Sequence, residues 1–408
     1  MLARLHELGE IGADARGGRT RLALTSEDKQ GRDLIVAWLR EAGAEVHVDQ
    51  IGNIYGVVQG EAAGPPVMVG SHIDTVTRAG AYDGCYGVVA GIEILLALAT
   101  CGMRFHRSFA VAVFTNEEGA RFGPDLLGSR VLARAISLQD ALSARARDGA
   151  QVSDELERIG YAGLASPWNF VPHAFLELHI EQGPILERQG GNVGVVEAVQ
   201  GHAWWRVAIE GTANHAGTTP MDMRSDAGFA AMTLATRLVR HSATERVPAV
   251  ATVGTFDLEP GAVNVVPGRA VFTLDLRDQR DHVLHAAEEL LFESLRALES
   301  DGFRVSSECF SRHASVSFDP HLCRLLETEA DALDLRVLRM SSGASHDAQM
   351  MASLCPTAMV FVPSHRGISH NPAEHTEPEA LASGAALLFR AVQRLANSTG
   401  GVDGFSGV

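Results

Sequence analysis

Short, mostly apolar runs alternate with stretches of helical period over residues 1–199. Val67–Ser71 (VMVGS), Phe109–Thr115 (FAVAVFT) and Ala174–Ile180 (AFLELHI) read as strands buried on both faces. Arg32–Ala42 repeats its apolar residues at helical spacing, and Gly43 is a suitable stop. Gly87–Ala99 (GVVAGIEILLALA) is apolar on nearly every face, which predicts a buried helix. The same texture returns in a strand at Thr357–Val362 and a helix at Pro378–Ala396. Strands alternating with helices imply an α/β domain, a mixed sheet covered by helices.

The middle of the chain is patterned differently. Ala203–Glu210, Ala249–Phe256, Arg269–Leu276 and Phe303–Cys309 read as strands, with helices at Ser225–His241 and His282–Ser300. The order β-α-β-β-α-β is that of a ferredoxin-like α+β domain. An inserted domain is therefore expected at 200–312, with 1–199 and 313–408 forming one discontinuous domain around it. There is no internal repeat, and the low-complexity tail Ser398–Val408 is expected to fray.

Composition narrows the possibilities. At 408 residues the chain is long enough for two or three domains. Its 46% hydrophobic and 21% charged residues are ordinary globular values. A net charge of −16 argues against nucleic acid or an anionic membrane as a partner. No run approaches the ~18 apolar residues of a membrane span, and the N-terminus lacks a secretory pattern. Five scattered cysteines do not make a disulfide framework or a thiolate zinc site. The expected location is the cytoplasm.

Candidate chemistry collects where the buried strands end, the usual place for sites in α/β sheets. Gly70-Ser-His72-Ile-Asp74 follows the first strand, and Asp74 is close enough to orient the His72 ring. Gly80-Ala-Tyr-Asp83-Gly84 offers a carboxylate in a glycine-flanked turn. Phe109–Thr115 runs into Asn116-Glu117-Glu118-Gly119. Adjacent glutamates there point apart, so one can ligate a metal while the other serves as general base. Alone, such a pair is more often a solvated loop. Strict alternation along Ala174–Ile180 and beyond puts Glu177, His179 and Glu181 on one face, more polarity than a buried strand ordinarily tolerates. The segment Ser364–Glu374 adds His365 and His370. Singly, each histidine is more often structural. Together His72, Asp83, Glu118, His179 and His370 match two metals sharing a carboxylate. Their nitrogen and oxygen donors suit zinc, manganese, cobalt or nickel better than calcium or magnesium.

The motifs GSHIDTV, GAYDGCYGVVAGIE, TNEEGARFGPDLLGSR, LELHIEQGPILE, GTANHAGTTPMDMR, NVVPG…DLR, SGASHDA and SHNPAEHT run in order over nearly the whole chain. In this the chain resembles the M20-type metallohydrolases, and within them the branch of N-carbamoyl-L-amino-acid hydrolases, allantoate amidohydrolases and β-ureidopropionases. The resemblance implies a catalytic domain with two divalent metal ions, zinc ahead of manganese, cobalt or nickel, and an inserted lid through which a homodimer forms. His72 and His179 would hold one metal, Glu118 and His370 the other, with Asp83 bridging and Asp74 behind His72. Glu117 would be the general base. Histidine at position 179, where many peptidase relatives carry aspartate, favours ureido or amide substrates over peptides. Gln182, Asn264, Arg277 and His346 would bind a small carboxylated ureido or amide substrate. His215 would reach an active site across the dimer and act in both binding and catalysis. From spacing alone an ion pair of Arg277 with Asp275 or Asp278 is equally consistent. Ser345 and Cys85 are mild departures from the family pattern.

The implied activity is hydrolysis of a C–N bond in a ureido or N-carbamoyl acid by metal-activated water. An N-acyl-amino-acid hydrolase or dipeptidase of the same fold is the alternative. A non-catalytic binding protein would have lost the base or a ligand, and neither is missing here.

Overall fold

The structure is a computed structural model that describes residues 1–398; from residue 399 on, the expectation of a frayed tail falls outside the described residues. The chain divides into two compact units, one of Met1–Glu197 together with the chain from Ser317 onward, the other of Ala198–Val316.

The first unit is built on a nine-stranded mixed sheet. Its strands are β1 (Glu45–Val48), β2 (Ile54–Val58), β3 (Val67–His72), β4 (Phe109–Phe114), β5 (Ala174–Ile180) and β6 (Val193–Val199), joined late in the chain by β13 (Val316–Ser317), β14 (Val337–Ser342) and β15 (Thr357–Val362). The order is β1-β2-β4-β3-β5-β15-β6-β13, with β14 also paired to β6. The neighbours β4, β3, β5 and β15 run parallel to one another. All four therefore end on the same edge of the sheet, and each is buried at every residue. Burial of each Val, Leu or Phe in them contributes about 1.5–3 kcal/mol.

Helices α1 (Leu2–Glu10), α2 (Ser26–Glu41), α3 (Cys85–Cys101), α10 (Pro320–Asp331) and α12 (Pro378–Asn397) cover the sheet, with shorter α4 (Leu127–Leu132), α5 (Leu138–Ser143), α6 (Val152–Ile159), α7 (Ile185–Gln189) and α11 (Asp347–Met351) in the connections. Helix α3 is buried along most of its length, as its all-round apolar sequence requires. Helix α2 begins six residues before the sequence pattern suggested, because the Thr25 side chain accepts the Asp28 N–H and caps a polar first turn. Strand β1 carries no recognisable pattern: it is four residues long and nowhere fully buried.

The second unit holds a four-stranded antiparallel sheet of β7 (Gly201–Glu210), β9 (Val250–Glu259), β11 (Arg269–Asp278) and β12 (Arg304–His313), in the order β12-β7-β11-β9. Helices α8 (Ala227–Glu245) and α9 (Asp281–Ser300) pack on it, and a small ribbon pairs β8 (Asn214–His215) with β10 (Val265–Val266). Strand β11 runs past Leu276, so Arg277 lies inside a strand rather than at its end. Among the described residues no helix is long and apolar enough to cross a membrane.

Candidate metal centre

The parallel strands deliver their side chains to one place. His72 is the last residue of β3, Glu117 and Glu118 follow β4, His179 is next to last in β5, and His370 lies in the loop between β15 and α12. Asp83 stands in the turn that opens α3. Its two oxygens face different partners. Oδ1 lies 3.6 Å from His72 Nε2 and 3.2 Å from His179 Nε2. Oδ2 lies 3.2 Å from His370 Nε2, which in turn is 3.3 Å from Glu118 Oε2. Two groups of metal-capable atoms result, His72–Asp83–His179 and Asp83–Glu118–His370, sharing Asp83.

The hydrogen bonds fix the histidine tautomers. His72 donates Nδ1–H to the Asp74 carbonyl at 2.9 Å, and His179 donates Nδ1–H to the Ile180 carbonyl at 2.9 Å. A carbonyl only accepts, so Nδ1 carries a proton and Nε2 is the nitrogen turned towards Asp83. The Gly84 N–H also lies against His179 Nε2. Burial works to lower both histidines, but the surrounding carboxylates raise His72 well above its usual value and raise His179 as well. Imidazoles held from behind by a carbonyl, with Nε2 turned to the other donors, are what a metal site needs.

The electrostatics point the same way. Among the described residues, the ion pairs of Asp74, Asp83, Glu117 and Glu118 are all with histidines. Burial pushes Glu117 well above the usual carboxylate range, with Asp347 and Glu118 adding to the shift. Burial and the charge of Asp83 bring Glu118 up to about 7. Burial also works to raise Asp83, but its three histidine partners hold it well below the usual range. Glu118 Oε1 and Gln182 Oε1 are buried without a hydrogen-bond partner. Buried acceptors left open beside clustered carboxylates and properly tautomerised histidines fit divalent cations.

Glu117 belongs to neither group. Its Oε2 is 3.5 Å from His72 Nε2, and its backbone N–H donates to Asp74 Oδ1. A third grouping, Glu177–His179–His346, is less suited to a cation. Glu177 already accepts hydrogen bonds from Ser71 Oγ and the Ala348 N–H, and His346 Nε2 is engaged with Ser342 Oγ.

Several residues differ in detail from the sequence reading. Asp74 orients His72 through its backbone carbonyl, while its carboxylate, 3.9 Å from the ring, accepts the N–H groups of Glu117 and Glu118. Glu181 leaves the alternation because β5 ends at Ile180. Its carboxylate caps α7 by accepting from Ile185 and Leu186. Gln182, at φ 57, donates Nε2–H to Asp83 Oδ2 at 2.8 Å. His346 is fully buried against the His179 ring, and burial keeps it neutral by lowering its pKa well below the usual value.

His215, Asn264 and Arg277 lie in the second unit. His215 is exposed and its Nδ1 accepts the N–H groups of Gly217 and Thr218, which leaves the proton on Nε2 as a free-facing donor. Asn264 is exposed beside it, its carbonyl accepting the Ala216 N–H. Arg277 makes the ion pair with Asp275, at 2.9 Å; Asp278 pairs with Arg280 instead. Sequence reasoning gave no role to Ser71, Glu177, Ser369, Glu374 or Asp347, all in hydrogen bonds around the site. A signal existed for two of them: Glu177 is two residues before His179, and Glu374 is four after His370.

The family model described as "Peptidase family M20/M25/M40" matches residues 68–394. An N-carbamoyl-L-amino-acid amidohydrolase of Rhizobium meliloti is 38% identical over 391 residues, 95% of this chain and 94% of that protein. A ureidoglycolate hydrolase of Arabidopsis thaliana is 36% identical over 393 residues, 92% of this chain and 82% of that protein. The fold is similar to the crystal structure of an amidase of the hydantoinase/carbamoylase family from Burkholderia multivorans, with a TM-score of 0.92, 39% identity and 97% of each chain covered.

Proposed function

Because this chain belongs to peptidase family M20/M25/M40, we propose that it is a metal-dependent amidohydrolase cleaving a C–N bond of an N-carbamoyl or other ureido acid. The observation that carries this reading is the division of Asp83 between two histidine-bearing groups, with Glu117 against His72 of the first and part of neither. On this reading His72, His179 and Asp83 Oδ1 hold one divalent cation, and Glu118, His370 and Asp83 Oδ2 hold a second. Zinc is the first candidate, with manganese, cobalt or nickel equally compatible with the donor set. Such cations supply Lewis acidity to the scissile carbonyl and lower the pKa of water.

The chain's own groups do the rest. Glu117 takes the proton from the attacking water and returns it to the departing nitrogen. Its buried carboxylate, 3.5 Å from His72 Nε2 and outside both groups, is placed to do so. His215, with its proton on exposed Nε2, is the donor for the oxyanion that develops at the carbonyl. Arg277, which the chain pairs with Asp275, is the proposed receptor for the substrate carboxylate, and Asn264, Gln182 and His346 are the other proposed substrate-binding residues. With an N-carbamoyl amino acid, water adds to the carbamoyl carbon and one of its two C–N bonds breaks; the carbamic acid that remains then loses carbon dioxide by breaking the other, so the products are amino acid, ammonia and carbon dioxide.

A homodimer is part of the same proposal. Phe229, Met232 and Val239 on α8, and Val250 and Leu258 on the edge strand β9, are exposed apolar side chains of the second unit. A free strand edge with such neighbours supports coverage by a second copy. Five unpaired cysteines suit a reducing compartment such as the cytoplasm.

The test is a substrate panel. The chain is stripped of metal, reloaded with zinc, manganese, cobalt or nickel in turn, and assayed on N-carbamoyl, N-formyl and N-acetyl amino acids, allantoate and dipeptides. Turnover of ureido substrates above the rest is expected. Preference for N-acetyl substrates or dipeptides would move the enzyme to the acylase or dipeptidase side of its family.

A further inference from the structure

Asp83 can face two ways only if its turn is held still, and the residue that holds it comes from the far end of the chain. Glu374 is buried in the loop between β15 and α12 that also carries His370. Its Oε1 accepts the backbone N–H of Tyr82 at 2.9 Å and that of Asp83 at 3.4 Å. Its Oε2 accepts the Ser369 hydroxyl at 2.9 Å, and the same hydroxyl lies 3.1 Å from Asp83 Oδ2. The approach is so close that a Cβ on Gly80 would overlap the Glu374 carboxylate, so glycine is required there. One loop thus grips the turn twice, with His370 on the Asp83 side chain and Glu374 on the backbone beneath it.

We propose that Glu374 is a positioning residue for the cation centre, clamping the Tyr82–Asp83 backbone and sharing the Ser369 proton with Asp83. The hydroxyl has one proton and two carboxylate acceptors. It rests on Asp83 Oδ2 or turns to Glu374 Oε2, so giving up the Asp83 oxygen to a cation does not cost the hydroxyl its hydrogen bond. Glu374→Gln keeps the volume and one acceptor, but its amide can only donate towards Ser369. The Ser369 proton is then pinned on Asp83, in competition with the cation. Glu374→Ala removes the clamp altogether.

The inference rests on Asp83 being a cation ligand, and the experiment separates the two. Zinc affinity of the metal-free full chain is measured by competition with a chelator, alongside the melting temperature of each metal-free protein. The expected order is wild type, then E374Q weaker by roughly 3–10-fold, then E374A weaker by roughly 10–100-fold, the range for outer partners of metal ligands. The metal-free melting temperature of E374Q should stay at the wild-type value. Wild-type zinc affinity in E374A, or in folded E374Q, overturns the clamp alone, and if E374A fails to fold E374Q decides. An affinity loss confined to a destabilised E374A and absent from E374Q also overturns it. A wild-type chain that binds none of zinc, manganese, cobalt and nickel overturns the cation reading of Asp83 and the clamp with it.

Discussion

A proton and a cation compete for the same lone pairs at this centre. In the cation-free chain the hydrogen bond to Asp83 holds His370 up at about 9, although burial works against it. Burial and the charge of Asp83 hold Glu118 at about 7. A cation can bind only by displacing those protons. Affinity should therefore fall as the pH falls from 9 to 6. Proton release on binding should rise as the pH falls through about 7, where Glu118 begins to contribute its proton beside those of the histidines. Calorimetry in buffers of different ionisation heat measures both, and an affinity flat across that range would contradict the assignment. At this scale the sequence is most informative where a side chain acts directly. His72, Asp83, Glu118, His179 and His370 stand out because metal-type donors at the ends of apolar strands are costly without a use. Roles that pass through the backbone are hidden. Asp74 is recognisable as a neighbour of His72, but not that its carbonyl serves the ring while its carboxylate serves two amides. Glu374 stands four residues after His370, but its role is hidden because its partners are peptide N–H groups some 291 positions away.

Among the elements, the strands β3, β4, β5 and β15 were readable because each is buried at every residue, and the helix α3 because most of its length is buried, so that apolar residues dominate all five. Strand β1, edge-placed and partly exposed, has no such signature. The junction between β3 and α3 carries its own test. Gly84 precedes α3 at φ 65, ψ −49, and a Cβ there would overlap the His72 ring. Gly84→Ala must strain the backbone, by about 1–2 kcal/mol or more, and push His72 aside. A lower melting temperature together with at least tenfold weaker zinc binding is expected from thermal melts and chelator competition. Wild-type zinc affinity in this variant would show that His72 does not need its observed position.

Across the whole molecule, the metal-capable residues belong to one unit, and His215, Asn264 and Arg277 to the other. The change in hydrophobic patterning made that division legible, and the order β12-β7-β11-β9 is the one expected for a β-α-β-β-α-β unit. Arg277→Lys keeps the charge but loses the fork, so KM for carboxylated substrates should rise. His215→Ala should lower kcat instead, because its partner gains charge mainly in the transition state. If His215 serves the neighbouring subunit, mixing inactive Glu117→Gln and His215→Ala protomers should restore activity, since one site then combines both intact residues. No recovery, with subunit exchange verified, would assign His215 to its own subunit or to no catalytic role.

The central claim is that Glu117 moves protons while its neighbours hold cations. It is tested most directly by metal content and turnover of Glu117→Gln measured on the same preparation. Wild-type cation content is expected, with kcat on an N-carbamoyl amino acid reduced by roughly 10²–10⁴-fold, the contribution of a general base. A variant that comes out metal-free, or one that turns over at close to the wild-type rate, would contradict it.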